Sequence, residues 1–299
     1  MTISKVALFG ASGQLGSVIL DSLITDGSFH ITVFQRASSK SNLAHKDSIE
    51  IAHFDGDFVI DQLTKLLKEQ DAVIAAFRAS DIDQQLRLAE AAAEAGVKRF
   101  IPADFGSCDS SSARAQELVP LFKRKTQVRQ RLQELAESHP TFTWTSLVCG
   151  HFFDWGLREN FLHFNVAERT ADILDEGTMK SSQSTLGQIA KAIIRIFQRQ
   201  EVTRNKVLFM QSFCVSQLEV LKALEKATRA QWTVTHIDSE NFINDNKRKA
   251  DEGDKQAVED LVFALGAING DWTTRDGFAM VDLGLEDEDL ETAVRKAIL

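Results

Sequence analysis

The chain has 299 residues, 43% hydrophobic and 26% charged, with a formal net charge of −9 and no block of like-signed cations. That length allows one large or two modest domains with a sizeable core. The acidic balance argues against the nucleic-acid backbone and an anionic membrane surface as partners.

Residues 6–9 form an apolar run that reads as a buried strand and breaks at Gly10. Glycines recur at Gly10, Gly13 and Gly16, and a helical pattern follows over 16–25. Strand, glycine turn and helix in that order open a dinucleotide-binding fold. Gly10 allows the tight turn, Gly13 lets the backbone approach a pyrophosphate, and Gly16 lets the helix pack against the strand. The free N–H groups through Ser12, Gln14 and Leu15, with the helix dipole, then hold the phosphates. The spacing is G-x-x-G-x-x-G, so its position between a first strand and a first helix carries more weight than the pattern.

A second strand over 29–35 ends on Arg36, with Ser38, Ser39 and Lys40 close behind. Where an acidic residue would accept from the adenine ribose of NAD, this chain has a cation suited to the 2′-phosphate of NADP. The alternative is an exposed loop arginine. Strands over 49–54, 72–77 and 98–101 alternate with helices over 61–69 and 82–95, the βαβ spacing of a parallel sheet covered on both faces. Ligands bind beyond the carboxyl ends of such strands, which places Phe77, Arg78, Asp104 and Phe105 near a cofactor. The small polar segment 107–112 reads as a mobile loop over the site.

Pro120 opens a helix, where its missing N–H is not needed. On that helix Leu121, Lys125, Val128, Leu132 and Leu135 form one stripe, while Lys123, Arg124, Arg129 and Arg131 read as solvated charges. A lysine on an apolar stripe either reaches a polar site or snorkels outward, and spacing leaves both open. A sixth strand over 143–149 runs into Gly150-His-Phe-Phe-Asp-Trp-Gly156. One reading of that run is aromatic core with a capping aspartate. The other makes Phe152, Phe153 and Trp155 the wall of a flat substrate pocket, with Asp154 or His151 as its polar handle and catalytic group.

Beyond residue 159 the strict alternation fails. Strands are expected over 171–174, 206–210 and 232–237, and helices over 185–198, 215–228 and 241–265, with a final helix after the acidic turn 286–289. The expected organisation is a doubly wound Rossmann-type α/β domain over 1–155. A smaller α+β substrate-binding region follows over 156–299, some of whose segments return to the Rossmann sheet. Cys108, Cys149 and Cys214 are separated and lack ligand spacing, so free thiols and no metal are expected. No apolar run approaches the roughly 20 residues of a membrane span. The first strand begins by about residue 5 and leaves no room for a signal peptide, so a cytoplasmic protein is expected.

The chain contains no tyrosine. That removes the Tyr-x-x-x-Lys acid/base pair of most short-chain dehydrogenases. The glycine turn, Arg36 with Lys40, Arg99-Phe-Ile-Pro-Ala-Asp-Phe-Gly106 and Phe122-x-x-Lys125-x-x-Val128-Arg129 together resemble the isoflavone reductase-like family. This is the NmrA-like branch of atypical short-chain dehydrogenases, which includes the pinoresinol–lariciresinol and phenylcoumaran benzylic ether reductases. The resemblance covers 5–153 well and the remainder loosely, and the 151–156 run looks like fungal members linked to secondary metabolism. It implies NADPH as cofactor, Arg36 as the 2′-phosphate contact and Lys125 as the acid/base group in place of tyrosine.

Two departures stand toward the nicotinamide and substrate. Ala103-Asp104-Phe105-Gly106 replaces the plant Ser-Glu-Phe-Gly, and Val148-Cys-Gly-His-Phe152 replaces a run carrying an asparagine. The implied activity is NADPH-dependent reduction of a small aromatic molecule at a C=C, C=N or benzylic ether-type bond, by a monomer or homodimer. The alternatives are a redox-neutral cyclase or isomerase that keeps the cofactor as scaffold, and an NmrA-like dinucleotide-sensing regulator.

Overall fold

The computed structural model describes residues 2–298 apart from 42, 44, 79 and 80. The first half runs β1 (Lys5–Phe9), α1 (Gln14–Asp26), β2 (His30–Arg36), β3 (Glu50–Phe54), α2 (Ile60–Leu66), β4 (Ala72–Ala75), α3 (Ile82–Glu94) and β5 (Arg99–Ile101). It continues through α4 (Ala113–Leu118), α5 (Pro120–Ser138), β6 (Thr143–Val148), β7 (His151–Phe152) and α6 (Phe153–Arg158). Next come β8 (Phe164–Asn165), β9 (Thr170–Leu174), β10 (Lys180–Ser184), α7 (Leu186–Gln198), α8 (Gln200–Thr203), β11 (Lys206–Phe209), β12 (Phe213–Ser216) and α9 (Gln217–Thr228). The chain closes with β13 (Thr233–Ile237), α10 (Ser239–Asp251), α11 (Lys255–Ile268), α12 (Met280–Leu283) and α13 (Leu290–Ile298).

Seven strands form one sheet in the order β11-β6-β5-β4-β1-β2-β3, every pair parallel. Alternation along β1 sends Val6 and Leu8 into the core under α1 and α7, and Ala7 and Phe9 into the core under α2, α3 and α5. Both faces are therefore covered, the Rossmann-type arrangement read from the βαβ spacing. β11 comes from residues 206–209 and α7 packs beside α1, so the second half completes the first half's sheet and one of its helical layers. Two three-stranded sheets, β12-β10-β7 and β13-β9-β8, belong with a third core built mainly from the second half.

Local chemistry sets several boundaries. Gly27 ends α1 in the left-handed conformation (φ 75°). The expected helix over 61–69 stops at Leu66. The expected helix over 215–228 begins at Gln217, because Ser216 and Glu219 form a capping box there and residues 213–216 are strand. Gly253 (φ 96°) divides the 241–265 pattern into α10 and α11. At the amino ends of the strands, the Asp71 carboxylate accepts from Lys98 Nζ at 2.6 Å and from the Ser4 and Lys5 amides at 2.9 Å. Burial pushes that carboxyl up, but these donors outweigh it and hold the group at about 2. No helix among the described residues is long and apolar enough to cross a membrane.

A close backbone approach lies at the other end of β1. A Cβ at Gly16 would run into the Gly10 carbonyl and sit 3.2 Å from the Ala11 Cα. Gly16→Ala should therefore force α1 off β1 and cost roughly 1–3 kcal/mol, the usual penalty for overpacking. At about 2–4 °C per kcal/mol for a domain of this size, a calorimetric melt reads the change directly. An unshifted midpoint would contradict the contact.

Candidate active site

The glycine turn builds the first part of the site. Gly10 takes φ 87°, and a Cβ there would collide with the Ala76 carbonyl, so β1 and β4 end in direct backbone contact. Gly13 donates its N–H to the Gly10 carbonyl at 3.0 Å and caps α1 without a side-chain hydrogen bond. The amides of Gln14, Leu15 and Gly16 are the orphan donors of that helix start. They point where a phosphate gains both hydrogen bonds and the helix dipole.

Beside the turn, a cleft of about 240 Å³ is lined by Gly10, Ala11, Ser12, Gln35, Arg36, Ser39 and several phenylalanines. Phe9 and Phe34 stack with centroids 4.5 Å apart, Phe54 and Phe58 meet edge-on at 5.0 Å, and Phe58 leans on Phe77 at 5.4 Å. These rings give the cleft an apolar aromatic wall. The roles of Phe54 and Phe58 were not legible in the sequence, because Phe54 reads locally as strand core and Phe58 lies in the segment beyond that strand's end. Arg36 stands at the exposed rim, where among the described residues its guanidinium makes one loose contact, Nη2 to Gln84 Oε1 at 3.5 Å. Lys40 lies exposed just beyond the turn after Arg36. Arg78 points elsewhere. Its side chain is 89% exposed and lies 3.6 Å from Glu259 on α11, so it is an interlobe surface pair, not part of the cleft wall.

The residues present fit a phosphorylated dinucleotide: a cradle that tolerates no Cβ, free amides at a helix start, an aromatic slot and an exposed arginine at the rim. The structure contains no group of three His, Cys, Asp or Glu side chains able to hold a metal among the described residues.

The second part forms beyond β5. Phe105 takes a left-handed φ of 37°, and β5 resumes its path beside β6 through the Gly106–Val148 bridge. That turn carries Asp104 into the interior, 3% exposed at its side chain. Lys125 Nζ, 10% exposed, donates to the Asp104 carbonyl and lies 3.8 Å from its Oδ1. The stripe on α5 is led by Phe122, with Val128, Leu132 and Leu135 buried behind it, and Leu121 is only half-buried. Lys125 thus reaches a polar site instead of snorkelling outward.

Arg129 corrects the sequence reading. Only 10% exposed, it donates from Nε to Asp104 Oδ2 at 2.6 Å, and its Nη1 stands 3.6 Å from Asp109 Oδ1. The 107–112 segment is also corrected. Cys108, Asp109 and Ser110 are buried, and Arg275 from the C-terminal segment holds Asp109. Burial pushes the Cys108 thiol up to about 12 and the Cys149 thiol higher still, which removes both as thiolate nucleophiles.

The 150–156 run divides between core and site. Phe153 is fully buried, edge-on to Phe213 at 4.7 Å, so it is core and not pocket wall. Asp154 Oδ1 accepts from the Trp155 amide at 3.0 Å and from Leu186, the first residue of α7, at 3.1 Å, the capping role. His151 is 3% exposed, stacked on Phe263 at 5.9 Å and edge-on to Phe161 at 5.7 Å. Its Nε2 lies 3.5 Å from the Val262 carbonyl. These contacts place its ring in the core between β7 and α11. Phe152 and Trp155 remain half-buried and pack with Phe105 against the α1–α7 core, so these rings can still present a flat apolar surface.

Residues 2–270 match the NmrA-like family. The chain is 35% identical over 241 residues to oxidoreductase aprR of Aspergillus flavus, covering 80% of this chain and 79% of that protein. It is 29% identical over 255 residues to oxidoreductase poxI of Penicillium oxalicum, covering 85% and 79%. Among solved structures, the leucoanthocyanidin reductase–NADPH binary complex from Vitis vinifera aligns over 99% of both chains, with a TM-score of 0.80 and 18% identity. Fold and relatives together define an oxidoreductase of Rossmann architecture. The chain belongs to the NmrA-like family.

The buried histidine has a measurable consequence. Burial pushes His151 down from 6.5 to about 4. Between those values the unfolded chain binds a proton that the folded chain does not, so stability is complete above about pH 6.5 and falls as pH drops toward 4. The loss is on the order of 3 kcal/mol. Urea titrations across pH 4–7 should show this slope, and His151→Leu should flatten it. An identical slope in the variant would assign the acid sensitivity to other groups.

Proposed function

We propose that the protein reduces a small, flat aromatic molecule with NADPH, at a C=C, C=N or benzylic ether-type bond, in secondary metabolism. The observation that carries this reading is Lys125. In a chain without tyrosine, its ammonium is nearly buried and held at the carboxyl end of β5, the edge of the sheet where α/β folds bind ligands.

The cofactor is NADP(H). Gly10, Gly13 and Gly16 shape the phosphate turn, and the amides about Ser12, Gln14 and Leu15 take the pyrophosphate. The phenylalanine-walled cleft suits the adenine, and Arg36, supported by Lys40, takes the 2′-phosphate through planar charge-assisted donors. Phe77, Asp104 and Phe105 line the approach toward the nicotinamide. When bound, NADPH supplies the hydride. Lys125 Nζ supplies or accepts the accompanying proton, directly or through one water. Phe105, Phe152 and Trp155 offer the apolar face against which an aromatic substrate lies, and their burial keeps water from it.

Two measurements test the reading. Arg36→Glu should remove most of a preference for NADPH over NADH, about ten- to a hundred-fold for a lost charge-assisted contact. Equal affinity of the parent protein for both cofactors, measured by fluorescence titration, would refute the assignment. Lys125→Ala should lower turnover by about two to four decades while NADPH affinity changes far less. The assay is a panel of aromatic natural-product precursors scored for NADPH loss and new products. Near-normal turnover in Lys125→Ala rejects the proton role, and products formed without NADPH loss reject the reduction.

A further inference from the structure

Five charged side chains run from the Lys125 position to the C-terminal segment. Lys125 Nζ donates to the Asp104 carbonyl and faces Asp104 Oδ1 at 3.8 Å. Asp104 Oδ2 accepts from Arg129 Nε at 2.6 Å and from the Ser146 hydroxyl. Arg129 Nη1 faces Asp109 Oδ1 at 3.6 Å, and Asp109 Oδ2 accepts from Arg275. Arg275 in turn lies over the Phe209 ring at 4.6 Å.

The inner four are at most 10% exposed, and their two cations balance their two anions. Burying such a set costs more than an apolar core of the same volume, so stability alone does not account for it. One detail gives it direction. Asp104 Oδ2 accepts from Arg129 and Ser146, whereas the buried Oδ1 has no hydrogen-bond donor among the described residues. The charged atom facing that free oxygen is Lys125 Nζ. Asp104 also supplies the carbonyl that holds Nζ. A Cβ at Gly106 would stand 3.7 Å from Nζ, 3.5 Å from Oδ1 and only 2.9 Å from the Cys108 carbonyl, so the glycine keeps a side chain from crowding the two groups.

We infer that Asp104 is the positioning residue for Lys125, itself fixed by Arg129 and Ser146, with Asp109 and Arg275 clamping Arg129 from the C-terminal segment. Asp104 does not touch the substrate. Its carbonyl aims Nζ, and its free carboxylate oxygen balances the ammonium while the proton is held. When an N–H bond of Nζ breaks and the proton passes to the substrate, the Asp104–Arg129 pair stays complete and no buried charge is left alone. Water then returns the proton to Nζ. The geometry is thereby built for a lysine that cycles its proton without moving.

This inference rests on Lys125 being the acid/base group, and the experiment separates the two. Lysine reactivity is measured with acetic anhydride at trace level on the full chain with NADPH added, read by peptide mass spectrometry against the exposed Lys222. In Asp104→Asn the Lys125 labelling rate should rise about ten-fold, the effect of losing one opposite charge at this range, while the Lys222 rate holds; the melting midpoint falls, because Arg129 is left short of its buried partner. Turnover on a compound the parent protein reduces should fall ten- to a hundred-fold, with KM for NADPH unchanged. Ser146→Ala, a smaller change that frees Asp104, should move both readings the same way by about threefold and serves alone if Asp104→Asn does not fold. Labelling within twofold of the parent in the folded variants overturns the inference. Lys125→Ala with normal turnover would reject the proton role instead, and the labelling result would still stand on its own.

Discussion

The structure depends on a place where three backbone segments meet with no room for a side chain. At the end of β1, Gly10 touches the Ala76 carbonyl after β4, and Gly16, one turn into α1, touches Gly10. The strand-to-helix reversal is therefore completed within a few residues. The start of α1 stands directly above the carboxyl ends of β1 and β4 with its first amides free. Parallel pairing then fixes the neighbours. β2 delivers Arg36 to one side of the turn, and β5 delivers Asp104 to the other. The opposite end of the same strands is tied by Asp71, which joins Ser4, Lys5 and Lys98. The cleft beside Arg36 and the buried Lys125–Asp104 pair are consequently two stations along one edge of the sheet, placed by strand register and by the short turns that end β1 and β5.

That edge was legible in the sequence because each of its features is local. A buried parallel strand reads as an apolar run ended by glycine or aspartate, and a helix start reads from the apolar spacing of its first turns. The glycine turn, Arg36 and the alternation through residue 101 need no distant partner to be recognised. Asp104 was placed by the same rule, at a strand's carboxyl end, although what it binds was not visible. The two cores that cover the sheet also follow from alternation, since β1 alone sends Val6 and Ala7 to opposite faces.

What stayed hidden was long-range pairing. Arg129 has the spacing of a solvated helix charge, and Asp104, 25 residues earlier, draws it inside together with Asp109. Asp109 sits in a stretch of small polar residues that reads as a mobile loop. Its partner Arg275 is 166 residues away, and the pair packs that stretch down. The run from His151 to Trp155 fails differently. Two aromatics and a histidine in series carry no local sign of which ring faces the core. β7 pairs with β10 and buries His151 against α11, Phe153 falls to the third core, and Asp154 is consumed by the start of α7. Each outcome is decided by an element the sequence window does not contain.

The two halves of the site answer to different physics. The cofactor side is defined by what is missing: side chains at Gly10 and Gly16, and hydrogen-bond partners for the first amides of α1. Such a surface is cheap to maintain, because exposed donors are satisfied by water until a phosphate displaces it. The Lys125 side is defined by what is present and buried. A lysine head on an apolar stripe must be compensated, and an aspartate carried inward by a left-handed turn must be compensated in its turn. Arg129 answers Asp104, Asp109 answers Arg129, and Arg275 ends the series at the surface with 42% exposure, where solvent takes over the balance. Each link is required by the burial of the one before it, and the first link is the Lys125 amine. The run of charge from β5 to the C-terminal segment is thus what it takes to keep one lysine dry, aimed and neutralised in a fold that lacks tyrosine.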